Sequence, residues 1–514
     1  MEALDWLVIG VFFLALIGII VWVVRQKQND SADYFLGGRD ATWLAIGASI
    51  FASNIGSEHL IGLAGAGASS GMAMAHWEIQ GWMILILGWV FVPFYSRSMV
   101  YTMPEFLERR YNPQSRTILS VISLVSYVLT KVAVTVYAGG LVFQQVFGIK
   151  ELWGIDFFWI AAIGLVVLTA LYTIFGGMKS VLYTSVLQTP ILLLGSLIIL
   201  VLGFKELGGW DEMMRVCGAV TVNDYGDTMT NLIRSNDDAN FPWLGALIGS
   251  AIIGFWYWCT DQFIVQRVLS GKNEKEARRG TIFGAYLKLL PVFLFLIPGM
   301  IAFALHQKYI GAGGEGFLPM LANGTANADA AFPTLVAKLL PAGVKGLVVC
   351  GILAALMSSL ASLFNSSAML FTIDFYKRFR PETPEKKLVG IGQIATVVIV
   401  ILGILWIPIM RSVGDVLYTY LQDVQSVLAP GIAAAFLLGI CWKRTSAQGG
   451  MWGLIAGMII GLTRLGAKVY YSNAGEVADS TFKYLFYDMN WLFFCGWMFL
   501  FCICLLYTSP SPRD

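Results

Sequence analysis

Charged residues are scarce in this sequence of 514 amino acids. Lys, Arg, Asp and Glu make up only 13% of it, and the formal net charge is +2. This is not the composition of a soluble domain, and the near-neutral balance gives no electrostatic reason to expect a nucleic-acid partner. The seven cysteines form neither a CxxC pair nor a Cys/His metal spacing, so the sequence predicts no disulfide framework and no zinc site.

Apolar residues are abundant instead. They make up 57% of the chain, and the mean hydropathy is +0.71, which indicates an all-α polytopic membrane protein. About thirteen apolar segments are long enough to span a bilayer at ~20 residues each. They run approximately over 4–24, 42–67, 75–95, 117–147, 153–175, 181–203, 243–268, 281–305, 344–371, 389–409, 416–440, 450–470 and 491–506. The first has acidic rather than basic residues before it and no cleavage site after it, so we expect it to stay as a membrane helix.

Basic clusters follow every second apolar segment. Examples are Arg109 and Arg110, Arg278 and Arg279, and Lys443. By the positive-inside rule these loops are cytoplasmic and the N-terminus is outside. We therefore expect a multi-pass protein of the cell membrane, that is, the inner or plasma membrane, with the lipid bilayer as its surroundings.

The second apolar segment is interrupted by the polar stretch Ala52-Ser53-Asn54-Ile55-Gly56-Ser57-Glu58-His59. Polar groups inside a membrane are costly and by default mark a site. A glycine among small polar residues also lets a helix open and turn its backbone carbonyls towards an ion. This stretch is the strongest indication of function in the sequence.

The ten segments after the first divide into two halves of five. An odd number of spans in each half makes the halves enter the membrane from opposite sides, which predicts an inverted five-plus-five repeat. The first segment of the second half carries Trp256-Tyr257-Trp258-Cys259-Thr260-Asp261-Gln262, a matching polar interruption. The predicted parts are an N-terminal helix (1–30), the first repeat (42–203), an outer loop (204–241), the second repeat (242–442), about two C-terminal helices (446–506) and a polar tail (507–514).

A few polar residues inside the spans are candidate ligands for a substrate. A polyhydroxylated molecule needs many hydrogen bonds in place of water and an aromatic face for its C–H side. The candidates for hydrogen bonding are Asn54, His59, Glu78, Lys288 and Gln422, and the candidates for stacking are Tyr257 and Trp258.

Each candidate also has a structural interpretation. His59 could be a satisfied interior histidine, Glu78 could be a solvated carboxylate near the outer end of its span, and the aromatic residues could fill the core. Lys131 could snorkel or cap a helix, and Asp261 could pair with a basic group on a neighbouring helix.

A second informative stretch runs from Ala355 to Ser362. Residues 355, 358, 359 and 362 share one helical face and offer a carbonyl and hydroxyls. A hard monovalent cation such as Na⁺ prefers oxygen ligands, and neutral ones suffice. The alternative is close helix packing by small residues, with each serine bonded to its own i−4 carbonyl.

These residues resemble the sodium/solute symporter family, in particular its sodium–glucose and sodium–myo-inositol cotransporter branch. The resemblance covers about 34–460. Its motifs are Asp33 to Arg39, Phe51 to Gly67, Tyr101 to Phe106, Trp256 to Arg267, Tyr286 to Leu289, Met357 to Asn365 and Cys441 to Arg444. It implies the inverted-repeat fold of amino-acid and sugar symporters and Na⁺ as the coupling ion.

The resemblance also implies a sodium site made of the backbone carbonyls of Ala52, Ile55 and Ala355 and the hydroxyls of Ser358 and Ser359. It implies a sugar site of Asn54, His59, Glu78, Lys288 and Gln422, with Tyr257 and Trp258 alongside and Tyr257 as the inner gate. We include Asp261 in the predicted substrate site.

Three positions depart from the family pattern. Many relatives carry an acidic residue where this chain has Ser185, and members with a second sodium have a hydroxyl where it has Ala361. Together these favour one Na⁺ in each cycle. Gly254 stands where some bacterial galactose-type members place Asn, so one sugar contact is missing or replaced.

The sequence therefore predicts Na⁺-coupled symport of a neutral hexose by alternating access, with no obligatory protein partner. The closest alternative is a myo-inositol or other polyol symporter. A sialic acid symporter is a weaker alternative, because a carboxylate substrate calls for an Arg and the fourth span offers only Lys131. A sodium channel or sugar sensor on the same fold is another, and an enzyme is not expected, because Glu58, Glu78 and Asp261 form no readable catalytic motif.

Overall fold

A computed structural model describes residues 1–26, 30–56, 58–321, 324–413, 417–473 and 478–509. In these residues ten helices are long and apolar enough to cross a membrane. One of the ten, Phe157–Leu207, contains two of the predicted spans. Two further predicted spans, which begin at Trp43 and Pro113 in the structure, are not among the ten because their helices are interrupted. The predicted all-α membrane architecture is confirmed, whereas the boundaries given above for the two repeats stay a prediction.

The helices as far as the predicted outer loop are Ala3–Val24, Ser31–Leu36, Trp43–Asn54, Ala64–Ser69, His76–Ile79, Trp82–Ile86, Val92–Ser98, Met103–Arg110, Pro113–Ser126, Ala133–Phe147 and Phe157–Leu207. The later helices are Trp210–Gly218, Trp243–Phe255, Gln262–Leu269, Glu274–Lys288, Ile297–Gly311, Ala331–Leu339, Val344–Met369, Lys377–Phe379, Glu385–Val413, Leu417–Cys441, Ala447–Asn473, Thr481–Lys483 and Trp491–Thr508. Wider π-helical turns lie at Glu58–Leu63, Leu87–Phe91, Tyr127–Val132, Trp256–Thr260, Val292–Leu296, Leu370–Tyr376 and Tyr484–Asp488, and 3₁₀ turns at Gly37–Arg39, Gly71–Ala75 and Ala328–Ala330. Glu151–Leu152 and Ile155–Asp156 form a small antiparallel pair.

The first helix of each predicted half is broken where the sequence is polar. In the first broken helix (43–69), the α-helix ends at Asn54, Ile55 takes an extended conformation, and helical structure resumes at Glu58. Ser57 and the side chain of Glu58 lie outside the described residues. A break of this kind frees backbone carbonyls from helical hydrogen bonding, and this is tolerated at membrane depth only where other groups take their place.

The second broken helix (243–269) opens at Asp261. Its α-helix Trp243–Phe255 widens into the π-helical turn Trp256–Thr260, and Asp261 has an extended backbone. The Asp261 side chain then caps the next helix by accepting a hydrogen bond from the Phe263 amide at 3.1 Å. An N-cap carboxylate satisfies one of the backbone N–H donors that are unpaired at the start of a helix. Asp261 therefore determines the residue at which this helix resumes.

The element Phe157–Leu207 bends at Gly177 rather than ending in a loop. Gly177 has φ 52°, and a Cβ at this position would lie 2.4 Å from the Tyr34 carbonyl oxygen. Only glycine takes this backbone conformation readily and allows such a close approach. The bend therefore replaces the short loop expected between the fifth and sixth spans.

The helix Val344–Met369, here called the serine helix, lies at the centre of the fold. It packs against Phe157–Leu207, the first broken helix and the N-terminal helix Ala3–Val24. The carboxylate of Asp5, on that N-terminal helix, accepts hydrogen bonds from the Gly343 and Gly346 amides at 2.7 and 2.8 Å. A helix outside the predicted repeats thus caps the helix that carries Ser358 and Ser359.

Candidate substrate and sodium sites

An internal cavity lies between the two broken helices. Its volume is about 70 Å³, several times the roughly 10–15 Å³ that one water molecule requires. Its walls are formed by Ser53, Asn54, His59, Trp77, Glu78, Gln80, Lys131, Thr135, Ile253, Tyr257, Trp258, Phe263, Lys288, Ser359, Leu363 and Gln425. The cavity therefore has polar groups and aromatic faces from both halves of the chain.

Three ionisable side chains meet on one wall of this cavity. Lys288 Nζ lies 2.7 Å from Glu78 Oε2 and 2.9 Å from His59 Nε2, and His59 Nε2 lies 3.2 Å from Glu78 Oε1. Glu78 is only 3% exposed, so it is not a solvated carboxylate. Buried charges are retained only when they are paired and hydrogen-bonded, which makes this trio a strongly polar wall held by three different helical segments.

The aromatic wall comes from the second broken helix. Tyr257 OH accepts a hydrogen bond of 3.0 Å from Asn54 Nδ2, which joins the two broken helices across the cavity. The rings of Tyr257 and Trp258 meet edge to face at a centroid distance of 4.9 Å. The structure thus brings Asn54, His59, Glu78, Lys288, Tyr257 and Trp258 together around one space.

Asp261 lies behind the cavity rather than on its wall. Its Oδ2 accepts from Lys131 Nζ at 2.6 Å, and Tyr127 OH donates to Oδ1. The Lys131 ammonium group also lies 4.7 Å from the centre of the Tyr257 ring. Asp261 therefore braces the second broken helix, and it is Lys131 that reaches the cavity.

Five buried polar atoms of the cavity residues have no hydrogen-bond partner among the described residues. One of them, Glu78 Oε2, is in the ion pair with Lys288. The other four are Asn54 Oδ1, His59 Nδ1, Trp77 Nε1 and Gln80 Nε2. An unmade hydrogen bond of a buried group costs about 1–3 kcal/mol, so a ligand or water is expected to complete them. They include donors and an acceptor, which suits hydroxyl groups because a hydroxyl can both donate and accept.

Gln80 occupies the space that Gly254 leaves. A Cβ on Gly254 would lie 2.7 Å from Gln80 Oε1, so a larger residue at 254 would displace this amide. An amide from another span therefore lies beside the position at which the sequence predicted a missing or replaced contact. Gln80 was missed from sequence because it was one polar residue near a span end, although its position two residues after Glu78 was a usable signal.

Two of the predicted sodium ligands, Ile55 and Ser359, meet at the break of the first broken helix. Ser359 Oγ donates to the Ser53 carbonyl at 2.8 Å and lies 3.3 Å from the Ile55 carbonyl. Ala52 and Ala355 are each 1% exposed in the same two helices. Two carbonyl oxygens at the break and a hydroxyl of the serine helix therefore lie next to one another.

Ser358 points its hydroxyl towards Ser185. The two Oγ atoms are 3.2 Å apart, and the Ser185 hydroxyl donates to the Val181 carbonyl, so the Ser358 hydroxyl is the donor of the pair. In the described part of the chain no cluster of three or more His, Cys, Asp or Glu could hold a metal. A cation at this place would therefore be held by neutral oxygens, which fits Na⁺.

The remaining predicted ligand, Gln422, has a side chain outside the described residues. Gln425, on the same helix Leu417–Cys441, lines the cavity. Other wall residues that the sequence did not single out are Trp77, Thr135, Phe263 and Leu363. They are ordinary apolar or small residues of a span, and only the packing of the helices places them at the cavity.

Comparisons with known proteins agree with this arrangement. The sequence model of the sodium:solute symporter family matches residues 34–457. The chain is 38% identical to human sodium/myo-inositol cotransporter 2, over 90% of this chain and 70% of that protein. It is also 38% identical to rat sodium/glucose cotransporter 2, over 99% of this chain and 79% of that protein. These relatives are transporters, not enzymes.

Solved structures show the same fold. The structure of a Na⁺-coupled sialic acid symporter, substrate-bound and outward-open, aligns with a TM-score of 0.78 at 21% identity and covers 99% of this chain and 98% of that one. With its membrane-spanning helices and its matched broken helices, this chain belongs to the sodium:solute symporter family and is a multi-pass, Na⁺-coupled solute symporter of the sodium/glucose and myo-inositol branch.

Proposed function

We propose that the protein carries a neutral hexose into the cell together with Na⁺, one ion for each sugar, by alternating access. The observation that supports this most directly is the ring of unpaired polar atoms around the cavity, on Asn54, His59, Trp77 and Gln80. A neutral polyol would complete their hydrogen bonds without bringing a new charge beside Glu78 and Lys288.

Na⁺ binding would couple to sugar binding through the first broken helix. The ion would be held by the carbonyls of Ala52 and Ile55 on that helix and by Ala355, Ser358 and Ser359 on the serine helix. Asn54 lies between the two carbonyl ligands in sequence, and its side chain contacts Tyr257. Fixing the backbone at the break would therefore orient Asn54 and His59 for the sugar.

Tyr257 would act as the inner gate. It lies on the π-helical turn immediately before the break at Asp261, so a small change of that turn would move its ring. While its hydroxyl accepts from Asn54 at 3.0 Å, the ring and the first broken helix are joined. Release of the ion and the sugar would weaken this hydrogen bond, and the Tyr257 side chain would then move away from the cavity on the cytoplasmic side.

One Na⁺ supplies enough free energy for uptake against a gradient. A charge that crosses ~100 mV yields about 2.3 kcal/mol, and a tenfold Na⁺ gradient adds about 1.4 kcal/mol. Together they support roughly 500-fold accumulation of a neutral sugar. A second ion would square this ratio, so the stoichiometry can be measured.

The test is a reversal-potential measurement in proteoliposomes with labelled glucose and a set Na⁺ gradient. We expect a ratio of charge to sugar near one and no uptake without Na⁺. A ratio near two would refute the single-ion stoichiometry, and steady Na⁺ current without sugar uptake would indicate a channel instead of a carrier.

The second candidate substrate is myo-inositol, because a relative with 38% identity is a sodium/myo-inositol cotransporter. Counterflow separates the two: vesicles loaded with unlabelled glucose or unlabelled myo-inositol are given each labelled compound in turn. Exchange of glucose at lower concentration than myo-inositol supports the hexose proposal, and the opposite order makes the protein an inositol symporter.

Replacing Gln80 by Leu should weaken sugar uptake about tenfold. The change keeps the volume beside Gly254 but removes a buried amide, and one hydrogen bond to a ligand is worth about 0.5–1.5 kcal/mol. The measurement is the sugar concentration for half-maximal uptake at saturating Na⁺. Gln393→Leu is the matched control, because Gln393 donates to the Ile174 carbonyl away from the cavity; equal effects of both variants would remove Gln80 from the sugar site.

A further inference from the structure

A buried arginine lies close to the proposed sodium site. Arg267, on the inner segment Gln262–Leu269 of the second broken helix, is 1% exposed. Its Nε donates to Ser49 Oγ at 3.2 Å and to Ser53 Oγ at 3.1 Å. Both serines belong to the first broken helix, so the guanidinium bridges the two broken helices next to the break.

In the described part of the chain Arg267 forms no salt bridge, and Asp261 acts on its charge only at a distance. Its Nη1 and Nη2 atoms are buried and have no hydrogen-bond partner in the described part of the chain, and its nearest ring contact is Phe263 at 5.0 Å. Asp261, the acidic residue on the same broken helix, is already bonded to Lys131 and Tyr127. A buried charge without a partner carries a large desolvation cost, and its field is weakly screened.

Hydrogen bonds lead from Arg267 to the ligands of the ion. Ser362 Oγ donates to the Ser358 carbonyl at 2.7 Å, so in its 2.6 Å contact with Ser53 Oγ it acts as the acceptor. The direction is therefore fixed: Arg267 donates to Ser53, Ser53 to Ser362, and Ser362 to the backbone of Ser358. The Ser53 carbonyl also accepts from Ser359 at 2.8 Å.

We propose that Arg267 determines the Na⁺ affinity of this symporter: its positive charge weakens ion binding and thereby lets the ion leave during the cycle. This rests on the sodium site proposed above. Ser53 alone separates the guanidinium from the Ser359 ligand. Ordinary hydrogen-bond and backbone lengths put the guanidinium and the proposed ion on the order of 8 Å apart. At that separation and an effective dielectric constant of about 20, their repulsion changes a binding constant roughly tenfold or more.

The proposed sodium site must both bind the ion and release it, and Arg267 beside it affects both steps. Five neutral oxygens attract the ion when the outer side is open, and a fixed cation beside them keeps it from binding too tightly to be released. Since the ion is held by neutral groups only, a single nearby charge has a large relative effect. Arg267 is a positioning and affinity-determining residue, and it need not touch the ion.

The experiment measures Na⁺ binding to the purified full chain without sugar, by thermal shift over a range of NaCl with choline chloride keeping the ionic strength constant. Arg267→Gln retains donors towards Ser53 but removes the charge, Arg267→Met removes both and packs on Phe263, and Arg267→Lys keeps the charge. We expect the Gln and Met variants to bind Na⁺ at about tenfold lower concentration, and the Lys variant to stay within about twofold of the wild type.

Uptake kinetics give a second readout that a merely structural role would not produce. The Gln variant should reach half-maximal uptake at lower Na⁺ and show a reduced maximal rate, because ion release becomes slower. Arg464→Gln is the matched control: Arg464 is a buried arginine, 2% exposed, on the C-terminal helix Ala447–Asn473, and its loss should leave the Na⁺ dependence unchanged.

Unchanged or weaker Na⁺ binding in both neutral variants would overturn the proposal, as would an equal gain of affinity in Arg267→Lys. Failure of the sodium site itself is recognised separately: no Na⁺-dependent thermal shift in the wild type, or the same shift in Ser359→Ala, would refute the proposed site and the role of Arg267 together. A normal wild-type response with unchanged neutral variants would refute the role of Arg267 alone. If one neutral variant does not fold, the other still decides the outcome.

Discussion

Replacing Glu78 by Gln is expected to reduce sugar uptake at least a hundredfold. Glu78 accepts from Lys288 at 2.7 Å and lies 3.2 Å from His59, in a wall where none of the three residues is more than 6% exposed. Breaking a buried ion pair from one side costs about 3–5 kcal/mol, because the remaining charge stays buried without a partner. Lys288 lines the cavity, so its unpaired charge would lie beside the space proposed for the sugar.

The measurement is initial uptake of labelled glucose in proteoliposomes, together with the Na⁺-dependent thermal shift without sugar. The sugar response should be lost while the Na⁺ response remains, since the ion ligands lie on other residues. Glu212→Gln, which removes the carboxylate of an exposed pair with Arg215, serves as the control for loss of an ion pair. Full uptake by Glu78→Gln would exclude Glu78 from the sugar site.

Replacing Ser359 by Ala should raise the Na⁺ concentration for half-maximal uptake at least tenfold. The serine hydroxyl is 2.8 Å from the Ser53 carbonyl and 3.3 Å from the Ile55 carbonyl, so it stands where the two helices share the proposed ion. A hydrogen bond or ligand contact to a charged partner is worth about 1.5–3 kcal/mol, and every 1.4 kcal/mol is about tenfold in concentration. At saturating Na⁺ the sugar dependence should be close to normal.

Ser367→Ala is the matched control on the same helix. Ser367 Oγ is buried without a hydrogen-bond partner among the described residues, two turns away from Ser359, so its removal tests the effect of losing any buried serine. A Na⁺ dependence of Ser359→Ala equal to that of Ser367→Ala would show that the ion is bound elsewhere.

The sequence predicted the polar centre of the fold because polar groups inside a membrane are costly and therefore rare. Asn54, His59, Glu78 and Lys288 stood out against apolar neighbours, and the structure places all four around one cavity. The polar breaks at Asn54 and Asp261 were predicted for the same reason. The family resemblance added the serines of the serine helix, for which spacing alone left helix packing equally reasonable; Ser362 does bond to its own i−4 carbonyl, whereas Ser359 reaches across to the other helix.

Other features depend on packing that no local pattern contains. Gln80 reaches the cavity because Gly254, on a different span, has no side chain to exclude it. Arg267 was named from sequence only as the last residue of the motif Trp256 to Arg267, and its burial between the two broken helices appears only in the structure. The bend at Gly177 was predicted as a short loop, since a sequence pattern cannot tell a glycine within a kinked helix from one in a turn.

The carboxylate of Asp5 gives the N-terminal helix an importance that its position outside the repeats would not suggest. Because Asp5 receives the Gly343 and Gly346 amides, the start of the serine helix is anchored by a residue more than three hundred positions away. A shortened chain that begins after residue 30 would leave those two amides without the carboxylate that accepts their hydrogen bonds. In such a chain the serine helix would no longer be held in position along its axis. Ser358 and Ser359 would then shift relative to the break at Ile55, and the geometry proposed for ion binding would be lost.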